Sequence, residues 1–198
     1  MAKQRDPSWP RARARLAARL AASLVLAAAL VPAGAPGAEA AADARHLEFI
    51  AHQSDVPLTL VAREFTPQVK FDPAHPADAK VRVLVDLKGV DGGGSDADRL
   101  LRGRDFFDVA RYPQAAWEAT EVRSLGGGRF EARGTLALKG HSAPVNLQLK
   151  VGVPGAGLLS IEGEGEISRL AFGIGEGSWS DTSTVDDKVT VKFRLRLP

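Results

Sequence analysis

Most of the second half of this chain is written in a period of two. Val81, Val83, Val85 and Leu87 alternate with Arg82, Leu84, Asp86 and Lys88. The same rhythm returns from Phe130 to Lys139, from Val145 to Val151, from Leu159 to Ile167 and from Val189 to Leu197. Alternation of this kind turns one apolar face to a core and one polar face to water, which predicts strands. Leu47, Phe49 and Ala51 mark an earlier strand, and the stretch from Leu58 to Phe71 supplies one or two more. Turn-forming runs separate them: Asp72-Pro73-Ala74-His75-Pro76, Asp91-Gly92-Gly93-Gly94, Gly126-Gly127-Gly128, Lys139-Gly140-His141 and Pro154-Gly155-Ala156-Gly157. Seven or eight antiparallel strands at this spacing predict an all-β fold, either a closed barrel or a sandwich. Gly163 and Gly165 fall on an inward face, which suits a sharply curved strand or close approach by a guest.

One segment breaks the rhythm. Ser95-Asp96-Ala97-Asp98 reads as an N-cap and acidic first turn, and Leu100 and Leu101 follow. This predicts one or two short helical turns between Ser95 and Val109, delivering Phe106 and Phe107 to the side or mouth of the fold. Four of the chain's twelve aromatics, Phe106, Phe107, Tyr112 and Trp117, crowd this region. Rings carry the largest burial payload of any side chains, so the cluster either plugs the core or lines a pocket. Small inward positions (Ala51, Ala132, Gly134, Gly163, Gly165) leave room for a guest. An eight-stranded barrel can be filled by its own side chains or hold one small ligand, and the residues alone leave the two balanced.

The first forty residues belong to a different argument. Arg11, Arg13, Arg15 and Arg19 precede the apolar run Leu20–Val31, and Ala38-Glu39-Ala40 fits a small-residue cleavage site. Residues 1–40 therefore read as a secretory signal peptide and 41–198 as one mature domain, with the bacterial periplasm as the expected destination. No Arg-Arg pair precedes the apolar run, which favours general secretion over twin-arginine export. Removing the leader takes the charge from 26 basic and 24 acidic residues to 20 and 22. The basic balance thus resides in the leader and gives no reason to expect nucleic acid. With no cysteine in the chain, disulfides, a lipobox anchor, thiolate catalysis and Cys-based metal sites are excluded.

The search for chemistry leaves little else. His46, His52, His75 and His141 show no helical metal-ligand spacing. There is no Gly-x-Ser-x-Gly elbow. Gly173-Ile174-Gly175-Glu176-Gly177 lacks the lysine of a phosphate loop and reads as a strained connection turning Phe172, Ile174 and Trp179 inward. Asp181, Asp186 and Asp187 match no calcium-loop pattern. Neither a catalytic constellation nor a metal site emerges.

These elements also occur in a family order. Phe71-Asp72-Pro73 with Pro76 comes first, then Val90-Asp91-Gly92-Gly93, then Asp105-Phe106-Phe107-Asp108-Val109 with Tyr112-Pro113. Leu138-Lys139-Gly140 follows, and Phe172-Gly173-Ile174-Gly175 with Trp179 and Asp181 closes the series. From about His46 to Leu197 the chain resembles the YceI-like proteins. Gly175-Glu176-Gly177-Ser178-Trp179-Ser180-Asp181-Thr182 is most similar to the branch found beside cytochrome b561 domains. The resemblance implies an eight-stranded antiparallel lipocalin-like barrel with one or two short helices. It implies an exported, non-enzymatic binder of a long-chain isoprenoid, quinone-type or polyprenyl, or of another long-chain lipid, with no other cofactor. It further implies a membrane redox partner of cytochrome b561 type encoded elsewhere, and a monomer or homodimer. A structural or stress-response barrel with a self-filled core is the competing expectation. The residues expected to line the pocket are Phe49, Phe65, Phe71, Phe106, Phe107, Tyr112, Trp117, Phe172, Ile174 and Trp179, with Tyr112, Trp117 and Trp179 offering wet polar tips to a head group. The chain departs from the family's Gly-x-Phe element by carrying Ala62 and Arg63-Glu64 before Phe65, a change expected either to tighten the pocket or to alter a bulge.

Overall fold

Alternation becomes a single curled sheet. The computed structural model describes residues 45–155 and 158–197, with backbone alone at 153–155. The expected signal peptide, 1–40, lies outside the described residues. The strands are β1 (Arg45–Gln53), β2 (Val56–Ala62), β3 (Phe65–Lys70), β4 (Lys80–Asp86), β5 (Val90–Asp91), β6 (Gln114–Gly126), β7 (Arg129–Leu138), β8 (His141–Gly155), β9 (Leu158–Ser168) and β10 (Lys188–Leu197). One α-helix, α1 (Ser95–Arg102), stands between β5 and β6.

The hydrogen-bonded order is β3-β4-β6-β7-β8-β9-β10-β1-β2-β5, with every described pair antiparallel. The two ends of that order, β3 and β5, are chain continuations of β2 and β4. A corner at Arg63-Glu64 splits the first pair and a 3-10 turn at Leu87–Gly89 splits the second. Bonding persists across the corner, where Arg63 N–H donates to Gly89 O at 3.1 Å and Asp86 N–H donates to Glu64 O at 3.0 Å. Ten strand segments thus trace eight long strands, and the sheet closes on itself. This is the expected eight-stranded barrel, its count raised to ten by two bends. Closure removes the free edges that would otherwise template pairing with another chain.

Period two sorts the residues into two faces. Leu47, Ala132, Val145, Leu147 and Leu195 are buried inside. Outside, Glu162 and Glu164 of β9 stand opposite Arg194 and Lys192 of β10, the cross-strand arrangement that favours this register. The inward glycines are filled by the barrel's own side chains, rings at Gly134 and Gly163 and Leu147 at Gly165. A Cβ at Gly134 would lie 2.5 Å from the Trp117 ring, and one at Gly163 would meet Phe193, its cross-strand partner. Close approach by a guest is therefore not what these glycines serve. The β6 register slips between Ala119 and Glu121, so that Trp117 and Val122, five residues apart, both point inward.

The helix supplies the short turns expected between Ser95 and Val109. It ends at Arg102, where Gly103 N–H donates to Leu100 O at 3.0 Å. Its N-cap is Gly94 rather than Ser95, and no side chain caps it. The Asp98 carboxylate instead accepts from Gly92 N–H at 2.8 Å, tying the first turn to the preceding loop.

Candidate functional site

A cavity of about 490 Å³ runs through the barrel. Its wall is aliphatic and aromatic nearly throughout: Val69, Val83, Leu136, Leu149 and Val191 come from five different strands. Towards the β3–β4 connection, Phe71 meets Phe130 edge to face, with ring centroids 5.2 Å apart. At the opposite end Phe106 and Trp179 form a second edge pair at 5.5 Å.

That second end is assembled from segments remote in sequence. Downstream of α1, Phe107 N–H donates to Leu101 O and Asp108 N–H to Gly103 O, each at 2.9 Å. Asp108 is buried in a left-handed conformation (φ 47°), and this bend lets Phe107 and Val109 on either side of it both enter the core. Asp105 O then accepts from Gly175 N–H at 2.7 Å and Glu176 N–H at 3.0 Å. The aromatic segment and the late glycine-rich element are thereby stitched together through backbone.

Two charged side chains lock the connection from Arg169 to Asp187. Lys139, buried at the β7–β8 turn, donates from Nζ to Gly173 O and to Glu176 Oε2, the latter at 2.9 Å. That hydrogen bond, more than the lysine's charge and the neighbouring His141, holds the Glu176 carboxyl below the usual glutamate range. A depressed folded-state pKa contributes stability that is present above the unfolded value and fades as pH falls through the folded one. Thermal melts taken from neutral pH to about pH 3 should show this end loosening below the ordinary glutamate range. Glu176→Gln should flatten that part of the profile, and an unchanged profile would rule out the latch.

Arg169 is the second lock. Its side chain is buried (4% exposed) and donates to four backbone carbonyls. Nε donates to Asp186 O at 2.9 Å, Nη1 to Ile174 O at 2.9 Å and Gly175 O at 3.2 Å, and Nη2 to Val185 O at 2.7 Å. Burial pushes the guanidinium pKa down, and Asp187 and Asp186 oppose the shift. The glycine at 175 is what admits it: a Cβ there would stand 2.5 Å from Nη1.

Eight of the ten expected pocket residues line this cavity: Phe49, Phe65, Phe71, Phe106, Phe107, Trp117, Ile174 and Trp179. Tyr112 and Phe172 stand apart from it. Tyr112 packs under the β7–β8 turn, 3.0 Å from where a Cβ of Gly140 would sit, with the Arg111 guanidinium 5.2 Å from its ring centroid. Phe172, on a 3-10 turn and 1% exposed, fills core beside the cavity rather than its wall. The polar tip of Trp117 is not wet either, since Nε1 donates to Val145 O at 3.2 Å in a buried setting. Ala62 is buried opposite Val90 and does not reach the cavity, so its methyl does not narrow it. Sequence reasoning passed over the aliphatic wall, although its alternation marks it, and Phe193 with it. It also missed Arg169, for which no local signal exists. Among the described residues no group of three or more histidine and carboxylate side chains could hold a metal ion.

A closed antiparallel barrel with a charged exterior, wrapped around an apolar cavity, defines a lipocalin-like barrel. More particularly, the chain belongs to the YceI-like domain family, which matches residues 39–197. It is 39% identical over 88 residues to a UPF0312 protein of Yersinia pestis, a match covering 44% of this chain and 45% of the relative, so it spans about half the length of such curated relatives. Among solved structures it is similar to Burkholderia cenocepacia BcnA, with 32% identity, a TM-score of 0.75, and 78% of this chain and 96% of that one covered. It also shares its fold with a polyisoprenoid binding domain from Saccharophagus degradans, at 18% identity and a TM-score of 0.62, covering 77% and 92%.

Proposed function

We propose that the chain is an exported, non-catalytic carrier or scavenger that encloses a long-chain isoprenoid lipid, quinone-type or polyprenyl. The observation that carries this reading is the cavity of about 490 Å³ whose wall is almost wholly apolar. Its volume falls in the range of about 300–1,000 Å³ typical of small-molecule sites. A ten-residue strand such as β10 runs roughly 33 Å, long enough to shelter several isoprene units end to end. Burying each CH₂ contributes about 0.8 kcal/mol, so a few units offset the cost of ordering the ligand. The polyisoprenoid binding described for the Saccharophagus degradans neighbour supports the same ligand class. Trp117 and Phe193 do cover inward glycines, yet the remaining void favours a binder over a barrel filled by its own rings. The leader favours the periplasm, and the Gly175–Thr182 wording favours a cytochrome b561-type redox partner.

Protein purified without detergent should release an apolar molecule on organic extraction, detectable by mass spectrometry. Ala51→Trp, which pushes a large ring into the cavity from β1, should reduce retained lipid at least about tenfold while the barrel stays folded. An empty native protein that takes up no long-chain lipid would overturn the proposal.

A further inference from the structure

Resting on the lipid-carrier reading, we infer that Arg169 selects the ligand's head: the cavity takes amphiphiles whose head carries an oxygen acceptor, seated at the Arg169 end with the tail running towards Phe71. Among the described residues that line the cavity, Arg169 is the one charged side chain. A buried guanidinium keeps its proton and therefore its charge, and a buried charge must be solvated by dipoles or partners. Here four carbonyls supply the dipoles, and no carboxylate lies within ion-pair distance among the described residues. Asp187 is engaged elsewhere, its Oδ1 accepting from Ser168 Oγ and Leu170 N–H at 2.9 Å each.

The donor count leaves an opening. A guanidinium offers five N–H groups, and Nη2 carries two of them. One Nη2 N–H goes to Val185 O, and the other has no acceptor among the described residues. Gln53, another polar lining residue, belongs to the same corner, because it bridges Val185. Trp179 joins them, its Cβ lying 3.4 Å from where a Gly175 Cβ would sit. At the far end the described lining residues offer no counterpart: Phe71, Val81 and Leu149 present only hydrocarbon. A tail is indifferent to its direction in such a tube, whereas an oxygen-bearing head is not. A carboxylate, phosphate, amide or quinone oxygen would complete the guanidinium's bonding, and a charged amine would meet a like charge in a medium of low dielectric.

The test uses four probes with one tail on the delipidated full chain: hexadecanoic acid, hexadecanamide, hexadecylamine and hexadecane. Displacement of a fluorescent fatty probe at neutral pH reads each affinity. The acid and the amide should bind at least about tenfold more tightly than the amine and the alkane. Arg169→Gln, examined where melting shows it folded, should erase most of the difference between acid and amine. The series on the unmodified chain decides the matter even where that variant does not fold. Equal binding of all four probes, or an amine as tight as the acid, overturns head selection and leaves the carrier reading standing. No uptake of any probe overturns both.

Discussion

Arg169→Met is expected to lower the unfolding free energy by about 3–5 kcal/mol, the cost of breaking a buried charged network from one side. Methionine keeps much of the apolar stem, so the loss reports the guanidinium rather than the packing. Four carbonyls lose their donor together. Those of the buried Ile174 and Gly175 cannot turn to water, that of Val185 can only partly, and that of the exposed Asp186 can readily. Each buried acceptor left bare costs about 1–3 kcal/mol, which places the sum in the stated range. The barrel itself should survive, because its closure runs through β-ladders that Arg169 does not touch. Urea unfolding measures the loss, and hydrogen exchange should show it concentrated in the 169–187 connection. A loss below about 1 kcal/mol would mean that the Asp105 bonds and the Lys139 latch hold this connection without the guanidinium.

The contrast between strands and connections explains what the sequence could convey. Alternation is a local signal, so β4, β7, β8, β9 and β10 are legible within a few residues of their bounds. It failed at β6 for a definite reason: the bulge after Ala119 resets the phase, and Trp117 and Val122 fall out of step. It could not foresee that the corner at Arg63-Glu64 and the turn at Leu87–Gly89 would cut two long strands in two. The aromatic wall was partly legible because rings are few and costly to leave in water. Tyr112 and Phe172 show the limit of that inference, as a ring can be buried against a turn or the outer core without facing the cavity. The polar end of the site was illegible. Asp105 with Gly175, Lys139 with Glu176, and Arg169 with Val185 are meetings created by closure of the barrel, and no spacing along the chain announces them.

Trp117→Ala should cost a comparable amount, about 3–5 kcal/mol, and should change the cavity as well. The ring lies across Gly134, and its Nε1–H holds Val145 O at 3.2 Å, so it braces β6, β7 and β8 at once. Truncation removes that brace and opens a void facing existing empty space. A void continuous with a binding cavity differs from one sealed in a core, because a guest can refill it. Saturating long-chain lipid should therefore recover more stability in Trp117→Ala than in the parent, by the ordinary linkage between binding and folding. Phe106→Ala offers the contrast. Half-exposed beside Trp179, Phe106 should lose less stability but release lipid faster. Urea melts with and without lipid, together with off-rates for both variants, separate the two effects. Equal lipid rescue in parent and Trp117→Ala would show that the truncated ring bordered closed core and not the space a guest occupies.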